Sequence, residues 1–335
     1  MGDELDRPDQ FAVRLLLVAL MLLSLVMSAA IPEAFGDQAP AFAGAYVAMQ
    51  LLRAGFMVWA FRGHVMGRNY AQLGAWSALA GVAWIAGAAS DGDARLLLWV
   101  GALTIDYGGP LAGFALPGAG RTPMTDWSLS PGHLAERCQL VVIIALGESV
   151  LVTGQGFAGL ERRTPTVAAF VAAFLGSAAL WWLYFARHAR AALGRVASSD
   201  DPVRLGRGGY AYAHAIMVAG VMVTAVGDEL VIAHPTGDVA TATALTVLGG
   251  AGLFVLGMIV FVASTGGLDR FVWSGTAALY ALLVLLGLAA AALAPVALGI
   301  GTTLGLLVLV GFAALHERSA EAMGRGGFEP PSVGL

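Results

Sequence analysis

The chain has 335 residues, of which 58% are hydrophobic and 12% charged, with a mean hydropathy of +0.78 and a formal net charge of −4. A soluble domain carries roughly 25% charged residues, so 18 basic and 22 acidic side chains cannot clothe a water-exposed surface of this size. Every basic residue is arginine, with no basic block, which excludes a nucleic-acid partner. The composition predicts an all-α, polytopic integral membrane protein.

A bilayer core of about 30 Å needs about 20 apolar residues per helix, and ten stretches qualify. The first, 12–31, follows a leader in which Asp3, Glu4, Asp6 and Asp9 outnumber Arg7. That is the reverse of a signal peptide's positive start, so a retained helix is expected. The second, 41–61, holds Arg53 within its length, and the third spans 71–90. The fourth, 95–116, contains TIDYGGP, where Gly108, Gly109 and Pro110 follow Asp106. Proline removes a backbone donor and clashes with the preceding turn, which predicts a kink or break beside the carboxylate.

The fifth, 137–158, is preceded by a Ser130-Pro131 start signal and carries Glu148 near mid-span. His133, Glu136 and Arg137 occupy its inner interface; the i, i+3 spacing of His133 and Glu136 suits an interfacial salt bridge better than a metal. Arg137 and Glu148 share a face but stand about 16 Å apart in height, too far to touch. The sixth spans 165–186, and the seventh, 209–232, bears His214, Asp228 and Glu229. On the seventh, His214 lies about 21 Å below Asp228. The three define either a secondary polar column or a buried histidine with two acids dipping into water. The eighth, ninth and tenth stretches are 239–264, 274–295 and 297–315, the last two separated only by the apolar turn from Pro295 to Gly299.

These spans leave no room for a soluble domain, which predicts one transmembrane domain over 1–317 and a disordered cytoplasmic tail over 318–335. With a cytoplasmic N-terminus, 14 of the 18 arginines fall in inner segments, three (Arg95, Arg162 and Arg163) in outer loops, and Arg53 in a span. By the positive-inside rule both termini are cytoplasmic and the protein resides in the plasma membrane. Trp59, Trp127, Trp181, Trp182 and Trp273 fall near the inner span ends, as interfacial rings do.

Charges at mid-membrane are costly and face the bundle interior, pair, or mark a pathway. Arg53, Asp106 and Glu148 therefore form a candidate polar centre, read either as a transport cavity or as structural ion pairing. One cation and two acids leave one acid over. Cys138 stands alone in the sequence, which excludes a disulfide framework and a cysteine-based metal site. No P-loop, GxSxG or HExxH is present, so neither an enzyme nor a cofactor is expected.

Five segments carry a resemblance. ERCQLVVIIALGESVLVTG (Glu136 to Gly154), AIPEAFGD (Ala30 to Asp37), DYGGP (Asp106 to Pro110), AALWWLYF (Ala178 to Phe185) and GDELVIAHP (Gly227 to Pro235) resemble, in order, the bacterial low temperature requirement A family. The resemblance implies a polytopic membrane protein linked to growth in the cold, of no established biochemical activity. It also implies about two further helices upstream of Met1. Two functions follow as expectations: a transporter or channel-like protein for a proton, ion or small solute, or a non-catalytic protein supporting the envelope at low temperature. A lipid-processing enzyme ranks third.

Overall fold

The computed structural model describes residues 10–122, 131–185, 210–265 and 270–325. Ten α-helices cover most of them: α1 (Gln10–Ala30), α2 (Ala39–Ala60), α3 (Val65–Ala88), α4 (Gly92–Leu111), α5 (Pro131–Ala158), α6 (Thr164–Phe185), α7 (Ala213–Ala233), α8 (Thr241–Ser264), α9 (Arg270–Ala289) and α10 (Pro295–Arg325). Nine are long and apolar enough to cross a membrane. The tenth, α4, is diluted by Asp93, Arg95 and Asp106. The described residues form no strand beyond an isolated bridge between Leu116 and Gly120. The protein is an all-α polytopic membrane protein. Many of its exposed large side chains are apolar, among them Leu15, Met21, Ile144, Leu245, Leu288 and Val308, as lipid rather than water requires.

Several boundaries differ from those read in the sequence. Helix α3 starts at Val65 rather than 71, because Arg68, Asn69 and Gln72 depress the local hydropathy. There the His64 ring accepts the Met66 N–H at 3.2 Å and caps the helix. Pro110 does not break α4 beside Asp106. The helix runs on to Leu111 and ends within a turn of the proline, where Gly113 (φ 63°) and Phe114 (φ 47°) adopt left-handed conformations. Helix α10 continues to Arg325, past the start of the expected tail; residues 326–335, Trp127 and the arginines from Arg187 to Arg207 lie outside the described residues.

The chain divides into two compact units, Met1–Ser128 and Leu129–Leu335. In the first, successive helices pack on one another, α1 on α2, α2 on α3 and α3 on α4. Its core sets Trp84 and Trp99 among small residues such as Ala39, Ala43, Ala80 and Ala102, so that helices approach closely enough to hold the rings.

In the second unit the most extensive contact is between α7 and α8. Gly220 and Gly227 on α7 face Phe254 and Val247, while Gly250 and Gly257 on α8 face Thr224 and Met217. Each pair has the same sum of residue numbers, the mark of an antiparallel register. A Cβ on Gly220 would collide with the Phe254 backbone, and one on Gly257 would lie 2.7 Å from the Met217 nitrogen. These backbones touch because the glycines are there, the packing by which membrane helices gain dispersion energy without a hydrophobic drive.

Candidate functional site

Asp106 is the hub of the first unit. Its Oδ2 accepts the Tyr46 hydroxyl at 3.0 Å and the Trp84 indole N–H at 3.1 Å. Tyr46 in turn accepts Gln50 Nε2 at 3.2 Å, and Gln50 Oε1 accepts Arg53 Nη2 at 2.8 Å. The orientation of the amide follows from its neighbours: a guanidinium only donates, so it takes the oxygen and leaves the nitrogen for Tyr46. The result is a chain of donors pointing one way, from an exposed cation to a half-buried carboxylate. Asp106 Oδ1 accepts no hydrogen bond from any described residue. Pro110 lacks an N–H, so the Asp106 carbonyl also loses its usual i+4 donor.

Aromatic rings wall this site. Tyr46 lies 4.9 Å from Trp84, Trp84 lies 5.4 Å from Trp99, and Phe42 and Phe35 pack on Trp99 at 5.5 and 5.0 Å. The Trp99 N–H binds the Trp84 carbonyl at 3.0 Å, fixing α4 to α3 about two turns before the carboxylate.

Arg95, counted with the outer arginines at the first position of the fourth stretch, lies in the first turns of α4 and is buried rather than facing water. It donates to the carbonyls of Phe35, Gly36 (3.2 Å), Gly87 (3.3 Å) and Ser90 (2.9 Å), and to Asp91 Oδ1 at 3.1 Å. The guanidinium thus ties the turn between α1 and α2 to the last carbonyls of α3, where a cation complements the helix dipole. Only its charge was legible beforehand.

Arg53 and Asp106, proposed as one polar centre, are joined through Gln50 and Tyr46. Glu148 belongs to the other unit, on an exposed face of α5, and has no hydrogen-bond or ion-pair partner there among the described residues. Its neighbour Ser149 points the other way and lies 3.4 Å from Ser177 of α6.

His214 is buried on α7. Its Nδ1 lies 2.7 Å from the Tyr210 carbonyl, which can only accept, so Nδ1 bears the proton. In the neutral ring Nε2 is then the acceptor for the Tyr184 hydroxyl at 2.8 Å. The ring stacks on Tyr210 at 5.6 Å, with Phe261 edge-on at 5.2 Å. The column expected to link His214 with Asp228 and Glu229 is interrupted, because Met217 and Val221 between them are fully buried in the apolar core. Toward the far end of α7, Glu229 is exposed, whereas Asp228 Oδ2 is buried with no hydrogen-bond partner among the described residues. At the start of α5, His133 Nδ1 and Glu136 Oε2 are 3.8 Å apart on an exposed surface, with Arg137 exposed beside them.

The family described as bacterial low temperature requirement A protein (LtrA) matches residues 5–312. The chain belongs to this family. Two segments that carry the LtrA resemblance build the first unit's site: DYGGP supplies Asp106 and AIPEAFGD supplies two of the four carbonyls that Arg95 holds. AALWWLYF supplies Tyr184, and GDELVIAHP supplies Asp228. An uncharacterized protein of Rhizobium meliloti (strain 1021) is 37% identical over 249 residues, which make up 73% of this chain and 60% of that protein. The chain thus spans about three fifths of the curated relative it matches. No solved structure matches.

Proposed function

We propose that this LtrA-family protein passes a proton, an ion or a small solute across the plasma membrane, with Asp106 and Arg53 as the polar centre of the first unit and Glu148 as the membrane-depth charge of the second. The observation that carries this reading is the state of Asp106: one carboxylate oxygen is held by two donors while the other accepts no hydrogen bond from a described residue. Such a group is oriented on one side and available on the other. The chain back to Arg53 positions the carboxylate rather than conducting, because the Gln50 amide does not take up and hand on a proton. Arg53 and Glu148 are exposed charges within spans, and lipid does not tolerate charge at that depth, so their faces meet water or polar groups. Within the second unit, Asp228 has a buried oxygen without a hydrogen-bond partner among the described residues and is a further carboxylate available for transport.

No catalytic constellation enters this proposal; the partners are the bilayer and the transported species. Both termini are placed in the cytoplasm on the arginine asymmetry. Reconstitution in liposomes tests it: the protein should raise proton or ion flux above protein-free vesicles, and Asp106→Asn and Glu148→Gln should each abolish the increase. A competing reading, a non-catalytic membrane protein supporting the envelope in the cold, is favoured by how fully Tyr46, Trp84 and Arg95 are used in bonds between helices. It prevails if wild-type protein produces no flux for any small ion while cold growth still depends on it.

A further inference from the structure

A groove of about 560 Å³ runs between α6 and α10. The small Ala168 and Ala172 of α6 line it together with Val171 and Leu175, and α10 contributes Leu304 and Leu307. Thr303 is spent on the Ala172 carbonyl at 3.1 Å, so the trough is apolar along its length. At one end it meets Arg162 and Thr164, where α6 begins. Within the turn there, Glu161 neutralises Arg163 at 2.6 Å, which leaves Arg162 at the groove's mouth with no acidic partner among the described residues. From Thr164 to Leu175 the helix rises roughly 16 Å, close to half of the roughly 30 Å hydrocarbon core, the depth of one leaflet.

We propose that this groove holds one anionic phospholipid, its phosphate on Arg162 and an acyl chain along Ala168 and Ala172. A cation at the outer interface above a chain-wide trough one leaflet deep matches both ends of such a molecule, and its charge favours a net-anionic headgroup over a zwitterionic one. The apolar trough binds the chain of any lipid; Arg162 supplies the choice of headgroup.

The test is native mass spectrometry of the full chain extracted from nanodiscs containing equal phosphatidylglycerol and phosphatidylcholine. Wild-type protein should retain one phosphatidylglycerol preferentially. Arg162→Gln should weaken that retention by roughly fivefold, the loss of one surface cation's attraction, with no effect on phosphatidylcholine. Ala168→Leu, filling the trough, should reduce both lipids, and an unchanged melting temperature in detergent would show that either variant is folded. Equal retention of the two lipids by wild-type protein, or a preference that survives Arg162→Gln, overturns the proposal. If both variants unfold, Arg162→Lys decides: it keeps the charge and should keep the preference, and losing it overturns the proposal.

Discussion

The two hydrogen bonds on Asp106 Oδ2 make a stability statement about single residues. Replacing the carboxylate with a hydrocarbon strands the Trp84 N–H and the Tyr46 hydroxyl, and a buried donor without an acceptor costs about 1–3 kcal/mol. Asp106→Leu should therefore lower unfolding stability in detergent by about that amount. Asp106→Asn should lower it less, since its amide oxygen can still accept both donors. Denaturant titration followed by tryptophan fluorescence checks this; equal stability of Asp106→Leu and wild type would remove the carboxylate from the structural account. A variant that keeps the fold but loses flux would separate its positioning by Tyr46 from its use.

At the scale of elements, the α7–α8 pair depends on absent side chains. Gly257 faces the Met217 nitrogen and the Ala213 carbonyl, at 2.7 and 2.8 Å from the place a Cβ would take, and backbone atoms cannot step aside as a flexible side chain can. Gly257→Val should destabilise by overpacking, about 1–3 kcal/mol or more. Gly249, one residue before the contact glycine Gly250, has open space where its Cβ would be, and Gly249→Ala should be tolerated. The comparison is made in one denaturation series, and similar losses for both would show that close backbone contact does not set the cost. Position alone could not rank these two glycines, because 45 glycines are spread through the chain and only the crossing reveals which ones touch a neighbour.

For the whole molecule, the arginine asymmetry predicts sidedness. With Cys138 replaced by Ala, an impermeant maleimide added outside intact cells should label Asp93→Cys, in the first turn of α4 at the outer end, and leave Arg62→Cys, in the inner turn before α3, unlabelled. The reverse pattern would invert the orientation. Exposed Trp59, Trp181, Trp182 and Trp273 lie near the same span ends that the rule assigns to the cytoplasmic side.

Taken alone, the amino-acid sequence determined class, helix count and the positions where charge enters the membrane, since length and hydropathy belong to each segment and need no partner. It also carried the family, through short runs such as DYGGP and AIPEAFGD. Partner choice lay beyond it. A helix that is apolar all round, packed on one side and solvated by lipid on the other, shows little periodicity to mark its buried face. That Tyr46, 60 residues before Asp106, and Trp84, 22 before it, converge on one oxygen was decided by how α2, α3 and α4 rotate and cross. The same holds for Arg95, which reads as a loop cation and becomes a buried clamp. Likewise the polar column along α7 divides because the turns between His214 and Asp228 are filled by Met217 and Val221. Tertiary packing chose these contacts because only the crossing of helices determines which of several equally apolar faces turns inward.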